Sequence, residues 1–261
     1  MKYLKTFGIV VFGIILFGLS GCQKEPSASF TTSKTTVVTG ETITFTNTSK
    51  DGNDYEWNFG DGVTSVLANP THSYENSGTY TVELTAYSKN GKKSNKASAT
   101  ITVNKANEIV YNGEKYPLTK GYIDLWHDPF EDIYELRVNL VDDGITITQD
   151  DEMGTGNLIF IEAYSSSPGL YPGTYTYSSS CCYAQTFDYG GLGINYDITN
   201  EVGTWYDFVG GTVTVSQSGT VYIIDATFTL ANGKTVNAYY KGSLIYYNHT
   251  SKKSSKWVMR K

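Results

Sequence analysis

The sequence predicts an all-β protein of two consecutive domains. Three observations carry this. Runs of alternating apolar and polar residues recur along the chain, and no stretch beyond the first 21 residues keeps the 3.6-residue apolar period of an amphipathic helix. Turn pairs such as Asp61-Gly62, Asn90-Gly91, Asn112-Gly113 and Asn232-Gly233 separate those runs. The chain also holds 22 tyrosines, which with Thr and Val suit a pleated, half-buried surface. The length beyond residue 21 allows two domains of ordinary size, each with its own core.

The chain opens with an address. Lys2 and Lys5 precede an uncharged, mostly apolar run from Phe7 to Leu19. A helix needs ~20 such residues to span a bilayer, so this run fits the apolar region of a secretory signal instead. Residues 1–21 are therefore read as a signal peptide. Leu19-Ser20-Gly21-Cys22 resembles a bacterial lipobox. The resemblance implies cleavage before Cys22 and acylation of its thiol and new amine; the alternative is an ordinary signal that contains a cysteine. Residues 22–28 are polar, include Pro26, and read as a short tether. Gln23-Lys24-Glu25 resembles the export tags of surface lipoproteins in the Bacteroidota, which implies the outer membrane or cell surface.

The full chain carries a formal charge of −6, and loss of Lys2 and Lys5 makes it more acidic. Such a surface repels nucleic acid and gives no attraction to anionic lipid, so the expected membrane attachment is the lipid anchor only. Each buried CH₂ of an acyl chain contributes ~0.8 kcal/mol, and two or more chains anchor stably.

Residues 29–104 hold several short strands. Ile43 and Phe45 share one face, as do Tyr55, Trp57 and Phe59, and then Tyr80, Val82 and Leu84. Strands this short with turns this frequent predict an immunoglobulin-like sandwich. Trp57-Asn58-Phe59-Gly60-Asp61-Gly62, followed by His72-Ser73-Tyr74 and Gly78-Thr79-Tyr80-Thr81-Val82, resembles the PKD domain family. Trp57 is expected to anchor the two sheets, and Gly60 and Gly62 to allow turns closed to other residues. Asp61 is expected to bond amides in the turn, and Tyr80 to tie a crossing loop to its strand as a tyrosine corner. The resemblance implies a spacer or binding module without catalysis.

Residues 105–261 form the second domain. Tyr134, Leu136, Val138 and Leu140 alternate with Glu135, Arg137 and Asn139 along a strand. Leu158 to Tyr164 is nearly all apolar and reads as a central strand buried on both faces. Tyr222, Ile224, Ala226, Phe228 and Leu230 share a face. Successive hairpin signals predict an antiparallel meander, closed as a barrel or folded as a two-sheet sandwich. The basic tail from Asn248 either frays or adds an edge strand.

Candidate chemistry is sparse. Asp124, Asp128, Glu131 and Asp132 form one acidic group, and Asp142, Asp143, Asp150, Asp151 and Glu152 another. Paired carboxylates could hydrolyse glycosides or bind calcium, but neither group fits an EF-hand, and both read as solvated turn acids. Of three histidines, only His127 is available as a base in the second domain, with no Gly-x-Ser-x-Gly elbow to accompany it. No metal site, cofactor or catalytic residue is expected. Cys181 and Cys182 are either a strained vicinal disulfide or two packed thiols. Segment 179–193 reads as a long loop rich in Gly and aromatics, with Trp205 and Tyr206 following soon after. Flat aromatic faces suit sugar rings, and core packing is the plain alternative. The expectation is a lipid-anchored binding protein whose partner is a polysaccharide, through Tyr183, Tyr189 and Trp205, or a surface protein.

Overall fold

The computed structural model describes residues 24–128, 132–180 and 183–249. Cys22, Cys181 and Cys182 lie outside the described residues. The chain divides between Asn104 and Lys105 into two compact units.

Among the described residues the first unit has eight strands: β1 (Phe30–Thr32), β2 (Thr36–Val38), β3 (Ile43–Asn47), β4 (Asp54–Asn58), β5 (Thr64–Ser65), β6 (Thr71–His72), β7 (Gly78–Tyr87) and β8 (Ser94–Asn104). They form two sheets, ordered β1-β3-β6 and β2-β8-β7-β4-β5. Alternation turns Ile43, Phe45, Trp57, Val82, Leu84 and Ile101 inward, all fully buried, which gives the sandwich its core. The expected tether is engaged before its end. Ser27 and Lys50 exchange two backbone hydrogen bonds of 2.9 Å, because Ser27 runs beside the chain that follows β3.

The second unit is one large sheet. Its strands are β9 (Glu108–Tyr111), β10 (Glu114–Pro117), β11 (Lys120–Asp128), β12 (Ile133–Val141), β13 (Ile145–Ile147) and β14 (Glu152–Ser165). They continue with β15 (Gly173–Tyr177), β16 (Thr186–Asp197), β17 (Val202–Ser218), β18 (Val221–Leu230), β19 (Thr235–Gly242) and β20 (Leu244–Asn248). The order is β10-β9-β19-β18-β17-β15-β16-β14-β12-β11-β20, with β13 folded back on β14. Most pairs are antiparallel, and half join consecutive strands as the turn signals predict. Asn112 sits at φ 53° and Gly113 at φ 82°, the left-handed pair that a two-residue hairpin needs. Two pairs, β15 with β16 and β11 with β20, are parallel, so the meander is not continuous.

The sheet curls until β11 meets β19. A Cβ on Gly121 would strike Leu244 and come within 3.1 Å of the Tyr240 ring, so the glycine leaves room for both side chains where the walls approach. Phe187, Phe208, Phe228 and Tyr175 fill the inside, with Phe208 stacked on Phe228 at 3.9 Å. An apolar void of about 10 Å³ beside Leu170 and Tyr175 has room for a single water at most. Among the described residues these side chains form a packed apolar core.

The outside of the sheet is partly covered too. Inward Ile159, Ile161 and Ala163 of β14 alternate with outward Leu158, Phe160, Glu162 and Tyr164, and all seven are buried. β13 lies over one end of this outer face, where Ile145 and Ile147 pack with Tyr122, Val141, Leu158 and Tyr196.

Candidate functional site

In the first unit the conspicuous residues serve the fold. Trp57 is fully buried, meets Phe30 edge-on at 5.0 Å, and donates its indole N–H to the Leu67 carbonyl at 2.9 Å. Gly60 has φ 86°, and a Cβ there would lie 2.7 Å from the Thr81 carbonyl oxygen; Gly62 has φ 94°. Asp61 accepts from the Val63 amide at 3.1 Å and pairs with His72 Nε2 at 2.7 Å. Burial pushes the Asp61 carboxyl up, but the His72 and Val63 bonds outweigh it and hold it below its usual value. His72 stacks on Phe59 at 4.2 Å. Tyr80 donates to the Asn76 carbonyl at 2.8 Å and stacks on Tyr74 at 4.2 Å. These contacts tie turns and strands together.

The second unit offers more chemistry, on the outer face of its sheet. Register lines up Asp124 with Arg137, Arg137 with Glu162, and Glu162 with Tyr189, one row across β11, β12, β14 and β16. Glu135 lies beside the row, with Oε1 3.7 Å from Arg137 Nη2. Asp124, Glu135, Arg137, Asn139 and Glu162 are each under one-tenth exposed. The Arg137 guanidinium lies 4.7 Å from the Trp126 ring, and His249 stacks on the same indole at 4.6 Å. His249 Nε2 meets Asp124 Oδ1 at 2.9 Å. Burial pushes the Asp124 carboxyl above its usual value, against the pull of His249 and Arg137.

Aromatic rings continue the face. Tyr189 meets Phe160 edge-on at 5.9 Å, and Trp205 lies 5.2 Å from Tyr196. Tyr189, Trp205 and Tyr247 all pack, half-buried, on the outer cluster. Trp205 lies across Gly191, whose missing side chain makes room for the indole, and donates to Asp207 Oδ1 at 2.8 Å. Two of the three aromatics expected at a ligand site therefore share one face. The third, Tyr183, is 64% exposed on the segment before β16 and does not belong to that cluster.

Several local expectations change. Residues 186–193 are strand, not loop, because Gly190, Gly191 and Gly193 are spaces filled by Phe208, Trp205 and Leu158 rather than hinges. Trp205 and Tyr206 lie on β17. Asp124 is no solvated turn acid: it lies on β11 and is 5% exposed. Arg137, Glu135, Asn139 and Glu162 escape a sequence reading, since polar residues alternating with apolar ones suggest solvent. The two-sided apolar run of β14 is the signal that could have found them, since it requires a cover on the outer face.

Comparison with known proteins places the first unit. Residues 23–103 match the PKD domain family. A 49-residue stretch is 59% identical to collagenase ColA of Bacillus cereus, covering 19% of this chain and 5% of that enzyme. A 96-residue stretch is 34% identical to collagenase ColA of Clostridium perfringens, covering 32% of this chain and 9% of the enzyme. The chain thus spans a small fraction of the curated relatives it matches, and these likenesses fall in the PKD region. Among solved structures, the PKD1 domain of Vibrio cholerae metalloprotease PrtV is 39% identical, covering 31% of this chain and 99% of that domain at a TM-score of 0.27. Residues 23–103 are a PKD domain, and a large curled β-sheet domain follows it.

Proposed function

We propose that this chain is a lipid-anchored, extracytoplasmic saccharide-binding protein. The PKD domain is the spacer next to the anchor at Cys22, and the curled sheet carries the binding face. The observation behind the reading is that face itself. Half-buried Tyr189 and Trp205 stand beside a row of polar side chains on the outside of the sheet. Aromatic faces pack against sugar C–H groups, while neighbouring carboxyl, amide and guanidinium groups bond hydroxyls. Affinity electrophoresis of the full chain through gels containing neutral and acidic polysaccharides tests this. Retardation that weakens on Trp205→Ala supports it, and free migration through the whole panel refutes it. Membrane fractionation and mass spectrometry test the anchor: diacylglycerol on Cys22 is expected, and an unmodified thiol at a mature N-terminus rules it out.

The burial of three carboxyls, Asp124, Glu135 and Glu162, favours a second reading, hydrolysis of the bound glycan. It requires new reducing ends to accumulate in a retarding polysaccharide, and their release to stop in Glu162→Gln.

A further inference from the structure

Among the described residues, Trp126 Nε1, Arg137 Nε, Arg137 Nη2 and Asn139 Nδ2 on the outer face are buried without a hydrogen-bond acceptor, Arg137 Nη2 keeping only the 3.7 Å ion pair with Glu135. Arg137 is 2% exposed, Asn139 1% and Trp126 6%. A buried donor left unmade costs ~1–3 kcal/mol, so a group of them in one place calls for a missing acceptor. They occupy adjacent strands, since Arg137 and Asn139 are alternate residues of β12 and Trp126 pairs with Glu135 beside them. They also sit on the outside of the sheet, with the packed interior on the other side of the backbone.

The acceptor need not be an anion. Among the described residues three carboxyls, Asp124, Glu135 and Glu162, lie around the Arg137 guanidinium, so this cluster repels negative charge. An ammonium group would suit the carboxyls but could accept nothing from the four donors. A hydroxyl does both, with one donor and two acceptor positions. A ring with several hydroxyls can therefore accept from Arg137, Asn139 and Trp126 while donating to the carboxylates. We infer that this cluster is the specificity-determining subsite of the binding face and takes a neutral, polyhydroxylated sugar in preference to an acidic one. The inference rests on the saccharide reading above.

Asn139→Leu separates a binding role from a structural one. It keeps the volume and removes a donor that the protein alone does not satisfy, so the melting temperature of the ligand-free full chain should rise. The same change should weaken binding about tenfold, the loss of one good hydrogen bond. Arg137→Lys keeps the charge, loses the fork, and should weaken binding similarly. The measurement is affinity electrophoresis through neutral glucan, mannan, galactan and xylan, with alginate as the polyuronate, alongside thermal melts. Retardation by a neutral polymer but not alginate, reduced in both variants while Asn139→Leu melts higher, is the expected result. Stronger retardation by alginate, or neutral retardation unchanged in both variants, overturns this inference and leaves the saccharide reading standing. A lower melting point for Asn139→Leu makes the residue structural and also overturns it. No retardation of the parent chain by any of the five polymers overturns both.

Discussion

Two aspartates in this protein respond to pH with opposite signs. Asp61 is held below its usual value by His72 and the Val63 amide. Its stabilising contribution is present above the unfolded pKa and is lost as pH falls through the folded one. Asp61→Asn should therefore lower the PKD melting temperature at neutral pH, with the deficit closing in acid. Asp124 is pushed the other way by burial. Its contribution is full below the unfolded value and is lost as pH rises through the folded one. Asp124→Asn keeps a polar partner for His249, sheds the buried charge, and should raise stability at neutral pH. That gain should shrink toward about pH 3, where the parent carboxyl is itself protonated. Paired melts across that range check both signs. Trp57 is a simpler case: it has no exposed surface, and Trp57→Ala should cost ~3–5 kcal/mol by urea unfolding, enough to open a small sandwich.

At the scale of strands, glycines set the shape of the outer face. Gly191 leaves the space that the Trp205 indole fills, so Gly191→Ala should displace that ring. A changed tryptophan emission spectrum and weaker glycan retardation are the expected readings, with the fold intact by circular dichroism. The strands themselves were legible in the sequence wherever alternation was clean, as in β12 and β18, and where Asn-Gly pairs marked hairpins. The strand through residues 186–193 was not, because glycines and polar residues look like loop until the side chains that fill their gaps are known. The polar cluster was hidden for a related reason. Alternation shows which residues face the core, but only tertiary structure shows whether the opposite face meets water. Trp57, Gly60 and Tyr80 were easier, since each does a local job that its residue type and spacing announce.

At the scale of the molecule, the division between Asn104 and Lys105 separates two units with their own cores. Residues 105–261 should fold alone, and a full chain carrying Trp57→Ala should lose one calorimetric transition while keeping the other. Loss of both transitions would mean that the second core depends on the first. Within the second unit, the pairing of β11 with β20 governs how the fold is reached. Asp124 and His249, joined across that pair, are 125 residues apart in sequence. Closing so long a loop adds little to the equilibrium cost, because loop entropy grows only logarithmically. It weighs heavily on rate, since chains dominated by distant contacts fold slowly. During synthesis, β11 has no second neighbour until residues 244–248 emerge, and the wall around Gly121 stays open. Closure of the second unit therefore waits for nearly all of its chain.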